Sequence, residues 1–154
     1  MTLINEPQPR LFFALTCSAP HRKAISQWRA LLSLRAGRPV PAANFHLTLL
    51  FLGSVDQAQI AEICTTASKI RVPGKPLTLV LDRLEVWRKS KALVLTPEDA
   101  APELMRLSYA LEQAMLRFGQ DQEPKEFRPH LTLARDYQSP VPEAGIPARL
   151  LSPS

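Results

Sequence analysis

The chain has 154 residues, of which 45% are hydrophobic and 21% are charged, and its formal net charge is +5. These values are typical of one globular domain, and no apolar run approaches the ~20 residues that span a bilayer. The two cysteines are too few for a disulfide framework and lack metal-site spacing, so we expect a cytoplasmic protein. The positive charge favours partners such as RNA without identifying one.

Short strand and helix patterns alternate along the chain and predict an α+β fold with antiparallel sheets. The apolar run at 10–15 predicts a first strand, and apolar residues at helical spacing predict a helix from Ala19 to about Leu34. The further predicted elements are a strand from Phe45 to Leu52 that Gly53 ends, a helix from Val55 to Ile70, a strand from Leu77 to Trp87, a return strand from Ala92 to Thr96, a helix from Glu103 to Phe118 and a strand from Phe127 to Ala134.

The tetrapeptide His-Leu-Thr-Leu occurs twice, at 46–49 and at 130–133. Side chains of a strand alternate between its two faces, so each copy presents a histidine and a threonine on one face and two leucines on the other. A repeated motif indicates a repeated structural unit. If the two strands face a common cleft, four polar side chains converge there: His46, Thr48, His130 and Thr132.

These four side chains suit the hydrolysis of a cyclic phosphate diester. Imidazole has an ordinary pKa of ~6.5, so one histidine can accept a proton from water while the other donates a proton to the leaving oxygen. The threonine hydroxyls can donate hydrogen bonds to the non-bridging phosphate oxygens. We expect no metal and no cofactor. Because the two motifs are alike, the residues alone do not say which histidine is the acid.

Residues near the motifs are candidates for substrate contact. Arg128 stands two positions before the second motif histidine, so strand alternation puts it on the cleft side. Arg135 follows the second motif threonine by three positions and points away unless the strand ends or bulges there. Phe12 could stack on a nucleobase, and Arg38 is a weaker candidate in the loop before the first motif. Trp87 is expected in the core.

The paired motifs resemble the two H-x-T-x signatures of the 2H phosphoesterases. Within that superfamily the chain resembles the bacterial RNA 2′,3′-cyclic phosphodiesterases, also called 2′-5′ RNA ligases, over about Arg10 to Asp136. The resemblance implies a bilobal α+β fold, in which two antiparallel sheets related by a pseudo-twofold axis flank a central cleft with helices outside. The matching segments are RLFFAL at 10–15, GRPV at 37–40, HLTLLFLG at 46–53 and PHLTLAR at 129–135.

The same resemblance implies a metal-independent enzyme that converts RNA 2′,3′-cyclic phosphate ends to 2′-phosphates. Ligation of 2′-5′ linked RNA, such as tRNA halves, is a related activity of the family. By this resemblance His46 is the proton donor, His130 is the proton acceptor, and Thr48 and Thr132 bind the phosphate. Arg135 stands where relatives place a substrate-binding arginine. We further expect a monomer with no membrane partner.

The C-terminal part departs from the family. Only 21 residues follow Leu133, and they are rich in proline, so we expect residues 1–154 to form one bilobal domain without the last strands of the family. The sequence leaves three alternatives open. They are a phosphodiesterase for a small cyclic nucleotide such as ADP-ribose 1″,2″-cyclic phosphate, an RNA-end binding module without catalysis, and a structural protein with a coincidental repeat.

Overall fold

Strands and helices alternate along the chain in the computed structural model, which describes residues 10–70, 80–99, 101–118 and 126–142. Pro20 and Pro102 stand in the first turns of two helices, where the fixed φ of proline suits the helix and no backbone N–H is needed. The strands are β1 (Arg10–Thr16), β2 (Arg38–Pro39), β3 (His46–Ser54), β4 (Arg83–Trp87), β5 (Ala92–Thr96) and β6 (Leu131–Arg135), and the helices are α1 (Ala19–Leu31), α2 (Ile60–Ser68) and α3 (Pro102–Met115).

The three predicted helices are present, and each is shorter than predicted. α1 ends three residues before Leu34, because Ser33 adopts a left-handed backbone with φ of 50° that a helix cannot contain. α2 begins at Ile60 rather than Val55, after a 3-10 turn that the side chain of Asp56 caps through the backbone N–H of Ala58.

The strand boundaries differ by more than one residue in three places. Gly53 does not end β3: it has a φ of 77°, pairs with β1, and lets the strand continue to Ser54. The second motif strand begins at Leu131, so His130 immediately precedes it. β4 begins at Arg83, and positions 77–79 of the predicted long strand lie outside the described residues.

The described strands form one antiparallel sheet in the order β1-β3-β6-β5-β4, with β2 beside β6. The α+β antiparallel prediction is thereby confirmed, and the two predicted sheets are joined into one. They meet where β3 and β6 pair Leu47 with Leu131. Both leucines hold the second position of their motif, so this pair lies on a local twofold axis between the two halves of the sheet.

Helices cover the face of the sheet that carries the motif leucines. Burial of each of these leucine side chains contributes about 1.5–3 kcal/mol to the stability of the fold. The opposite, polar face of each motif is therefore held towards solvent. None of the helices in the described part of the chain is long and apolar enough to cross a membrane. The main buried cluster joins the motif leucines to the helices through Ile25, Trp28, Leu47, Leu49, Leu104, Leu111, Leu131 and Leu133.

Candidate active site

The four motif side chains lie together on the polar face of the sheet. Leu47 pairs with Leu131 in antiparallel register, and this register sets His46 opposite Thr132 and Thr48 opposite His130. All four are partly exposed, whereas the leucines between them are buried. The alternation in the sequence therefore predicted the face correctly, and the local twofold axis brings the two copies side by side.

Each motif histidine is held by a backbone carbonyl two residues before it. His46 Nδ1 donates to the carbonyl of Asn44 at 2.6 Å, and His130 Nδ1 donates to the carbonyl of Arg128 at 2.8 Å. A carbonyl oxygen only accepts, so Nδ1 carries the hydrogen in both rings. In the neutral ring, Nε2 is then the nitrogen that can accept a proton.

The two imidazoles differ in their electrostatic surroundings. Burial lowers the pKa of His130 from its ordinary value, and the charges of Arg128, His46 and Arg135 lower it further, although the hydrogen bond to the Arg128 carbonyl acts in the opposite direction. A positive charge on His46 is thus one of the causes that lower the pKa of His130. Lowering the pKa favours the neutral form of His130 at pH 7, which is the form that accepts a proton.

An aromatic ring lies against each imidazole. The Phe12 ring from β1 is centred 5.2 Å from the His46 ring at 34°, and the Trp87 ring from β4 is centred 4.3 Å from the His130 ring at 49°. Phe12 is 47% exposed. Trp87 is only partly buried and contacts a motif histidine, so the expectation that it belongs to the core is only partly met.

Both motif strands bulge at the same position. The pairing of β3 with β1 skips Leu49, and the pairing of β6 with β5 skips Leu133; these are the fourth residues of the two motifs. A bulge adds one residue to its strand and so shifts the later side chains to the other face. Phe51 and Arg135, three positions after each motif threonine, are accordingly exposed, and Arg135 lines the cleft beside His46.

A side chain from a helix donates a hydrogen bond to each bulged carbonyl, and the carbonyl of Leu133 also accepts from the backbone N–H of Val40. The Ser108 hydroxyl of α3 donates to the carbonyl of Leu49 at 2.9 Å, and the Arg29 guanidinium of α1 donates to the carbonyl of Leu133 at 2.9 Å. Arg29 also donates to the carbonyl of Val40 at 2.5 Å. Sequence reasoning missed Arg29 and Ser108. Their only signal was a polar residue among apolar helix positions, which is too common to single them out.

A cleft of about 440 Å³ extends from His46 and includes Phe12, Arg38 and Arg135. Arg38 belongs to β2 and stands opposite Arg135 of β6 in the sheet. Its guanidinium forms an exposed ion pair with Asp136 at 2.5 Å. A larger cavity of about 550 Å³ lies between the β4–β5 hairpin and the residues after β6, but it contains none of the motif residues.

Gly37 allows β2 to approach β6. It has a φ of 75°, and a Cβ atom there would lie 2.8 Å from the backbone carbonyl of Arg135. The guanidinium of Arg128 lies over the Trp87 ring at 4.3 Å from the centroid. Within the described ranges, no group of three or more His, Cys, Asp or Glu side chains is placed to hold a metal ion.

Comparison with known proteins gives the family. The chain matches the family described as LigT like Phosphoesterase over residues 15–96. It is 40% identical over 139 residues to the RNA 2′,3′-cyclic phosphodiesterase of Escherichia coli, covering 90% of this chain and 77% of that protein. The protein of the same name from Bacillus subtilis is 32% identical over 110 residues, 70% of this chain and 58% of that protein.

Solved structures agree with this comparison. The crystal structure of E. coli LigT complexed with 3′-AMP superposes with a TM-score of 0.80 at 38% identity, covering 94% of this chain and 80% of that one. Paired His-x-Thr strands around a local twofold axis define a 2H phosphoesterase. The chain belongs to the LigT-like phosphoesterase family of that superfamily. The family match ends before the second motif, whereas an alignment over 90% of the chain includes both motifs.

Proposed function

We propose that this chain hydrolyses the 2′,3′-cyclic phosphate at an RNA end to a 2′-phosphate, without a metal. The observation that carries the proposal is the pair of histidines on one face, each with Nδ1 held by a carbonyl and Nε2 left for proton transfer. The E. coli and B. subtilis relatives are named for this reaction, and their names support the substrate class. The main buried cluster joins both halves of the sheet, which supports one catalytic domain.

In this proposal His130 is the proton acceptor and His46 is the proton donor. Nε2 of His130 takes a proton from water as the water oxygen attacks phosphorus. The bond from phosphorus to the 3′ oxygen breaks, and Nε2 of protonated His46 donates its proton to that oxygen. Both imidazoles then exchange protons with solvent and recover their starting states. The lowered pKa of His130 supports its role as acceptor, because a neutral ring is needed there.

The other side chains around the two histidines would bind the substrate. Thr48 and Thr132 stand beside the histidines, where their hydroxyls can donate to the non-bridging oxygens whose charge grows in the transition state. Arg135 would supply positive charge at the cleft, beside Arg38, whose own charge is paired with Asp136. The exposed Phe12 ring offers a surface on which a base can stack.

Arg128 would also bind the substrate through its positive charge. Its guanidinium lies over the Trp87 indole ring, and its carbonyl orients His130. Both cysteines are free thiols, and a cytoplasmic location stays a prediction. So do the monomeric state and the joining of 2′-5′ linked RNA such as tRNA halves.

Turnover of a short RNA that ends in a 2′,3′-cyclic phosphate tests the function. We expect a 2′-phosphate product, no loss of rate in excess EDTA, and loss of activity in His46→Ala and His130→Ala with unchanged melting temperatures. A 3′-phosphate product, or full activity in either folded variant, contradicts the proposal. A folded protein that binds the RNA end in a salt-sensitive manner without turnover is a binding module instead. Faster turnover of a mononucleotide cyclic phosphate than of the RNA would favour a small-nucleotide substrate.

A further inference from the structure

Trp87 is the last residue of β4 and belongs to a closed cluster with His130 and Arg128. The ring centroids of Trp87 and His130 are 4.3 Å apart. The Arg128 guanidinium lies over the same indole at 4.3 Å, and the Arg128 carbonyl accepts the hydrogen bond of His130 Nδ1. Each of the three residues thus contacts the other two. We call this group the Trp87 cluster.

The Trp87 ring covers part of the partly exposed His130 imidazole. Trp87 Nε1 is buried, and no atom in the described part of the chain accepts its hydrogen. Burial is the largest cause of the lowered pKa of His130, which agrees with the cover that the Trp87 ring provides.

We propose that Trp87 is a positioning residue for His130, and that its ring keeps the imidazole in one orientation with water excluded from one side. The proposal rests on the proposed function, in which His130 accepts the proton from water. Trp87 acts through His130 and not on the reacting atoms. An imidazole that is held still loses less entropy on reaching the geometry for proton transfer.

The charged groups around His130 come from several elements. Arg128 and Arg135 belong to its own segment, and His46 belongs to β3. On β4 the nearest carboxylate along the same face is Glu85, which accepts a hydrogen bond from Thr96 of β5 at 2.5 Å. Trp87 adds no charge to this set, so an apolar replacement changes the cover over His130 and leaves the number of charges as it was.

Phe12 provides the matched control. It contacts His46 at 5.2 Å, but it is 47% exposed and lies at the open cleft. A Phe12→Leu variant removes an aromatic ring from the other motif histidine. If Trp87 acts specifically on His130, Phe12→Leu leaves the titration of His130 where it is in the unchanged protein.

The first measurement is an NMR titration of the His130 side chain, assigned by comparison with His130→Gln. In Trp87→Leu we expect the pKa of His130 to rise towards its ordinary value, because water gains access to the charged ring. Trp87→Phe keeps an aromatic ring and should give a smaller shift in the same direction. An unmoved titration in folded Trp87→Leu overturns the proposal. If Trp87→Leu does not fold, an unmoved titration in Trp87→Phe overturns it.

The second measurement is kcat and KM as functions of pH on the cyclic-phosphate RNA. Trp87→Leu should move the acid limb of kcat/KM to higher pH and lower kcat roughly tenfold with little change in KM. A raised KM with an unmoved acid limb would show that Trp87 binds a base of the substrate, and it would overturn the positioning role. If the unchanged protein has no turnover, the proposed function fails, while the NMR titration still decides the role of Trp87.

Discussion

The segments around His46 and His130 share their backbone geometry and differ in what packs against the imidazole. In both, a carbonyl two residues earlier holds Nδ1, and in both the fourth motif residue is bulged. Around His46 the aromatic neighbour is exposed, whereas around His130 the aromatic neighbour hides its indole nitrogen from solvent.

The difference teaches that an identical tetrapeptide can fix the position of its histidine without fixing whether that histidine donates or accepts a proton. A repeated His-Leu-Thr-Leu strand places the imidazole and the hydroxyl in the same relation twice. Whether that imidazole is neutral at pH 7 depends on burial and on nearby charge, which come from other elements. For His130 those elements include β4, which carries Trp87, and β3, which carries His46.

The largest effect is expected with a substrate whose leaving group needs no proton from a general acid. On a phosphodiester whose leaving group is nitrophenol, the leaving oxygen departs without a proton, so removing the donor costs little. We expect His46→Ala to keep most of its activity on that diester, while His130→Ala loses about 100- to 10,000-fold on both substrates. The measurement is kcat/KM for both variants on both substrates.

The reverse pattern would exchange the two roles. If His130→Ala is the variant that the nitrophenyl diester rescues, His130 is the donor and His46 is the acceptor. Equal losses for both variants on both substrates would contradict an acid–base pair altogether.

Sequence reasoning reached the parts of this site that depend on local order. Strand alternation places His46 and Thr48 on one face, and the repeat predicts that His130 and Thr132 copy them. It did not reach Trp87, because its contact with the second motif joins positions 43 residues apart.

The bulges and the joined sheet also went unpredicted. Leu49 and Leu133 are bulged, but a leucine at that position looks the same in a regular strand. The prediction for Arg135 was therefore conditional on a bulge that only the fold supplies. That the two expected sheets join into one was likewise not predicted, since the joining pair of Leu47 and Leu131 is set by tertiary packing.

The donors that hold the two bulges allow a second comparison between the halves. Arg29→Met removes a charge-assisted donor from the carbonyls of Val40 and Leu133, and we expect it to lower the free energy of unfolding by about 1–3 kcal/mol. Ser108→Ala removes a neutral donor from Leu49 and should cost about 1 kcal/mol. Urea denaturation of both variants measures these values.

Arg22→Met is the matched control for Arg29→Met. Arg22 stands on the same helix and donates to the carbonyl of Cys17 at 2.5 Å, one residue after the end of β1, whereas Arg29 donates to the second motif strand. We expect Arg29→Met to lower kcat/KM and Arg22→Met to leave it unchanged. Equal effects of the two arginines on activity would show that Arg29 has no special relation to the second motif.

The smallest expected effect is a dependence of stability on pH that arises from His130. Burial lowers the pKa of His130 in the folded chain below the value in the unfolded chain. The unfolded chain therefore binds the proton first as the pH falls, and folding loses stability between the ordinary histidine pKa and the lower folded value. Above the ordinary pKa this contribution is fully present.

His130→Gln should lack this part of the slope. The measurement is the urea midpoint at pH values from 7.5 downwards, for the unchanged protein and for His130→Gln. Thr132→Val is a suitable control, since it alters the same strand without removing a titrating group and should keep the slope. If His130→Gln and the unchanged protein lose stability in parallel across this range, the second motif histidine is as freely solvated when folded as when unfolded. The contrast between the two halves of the site would then lie in geometry alone.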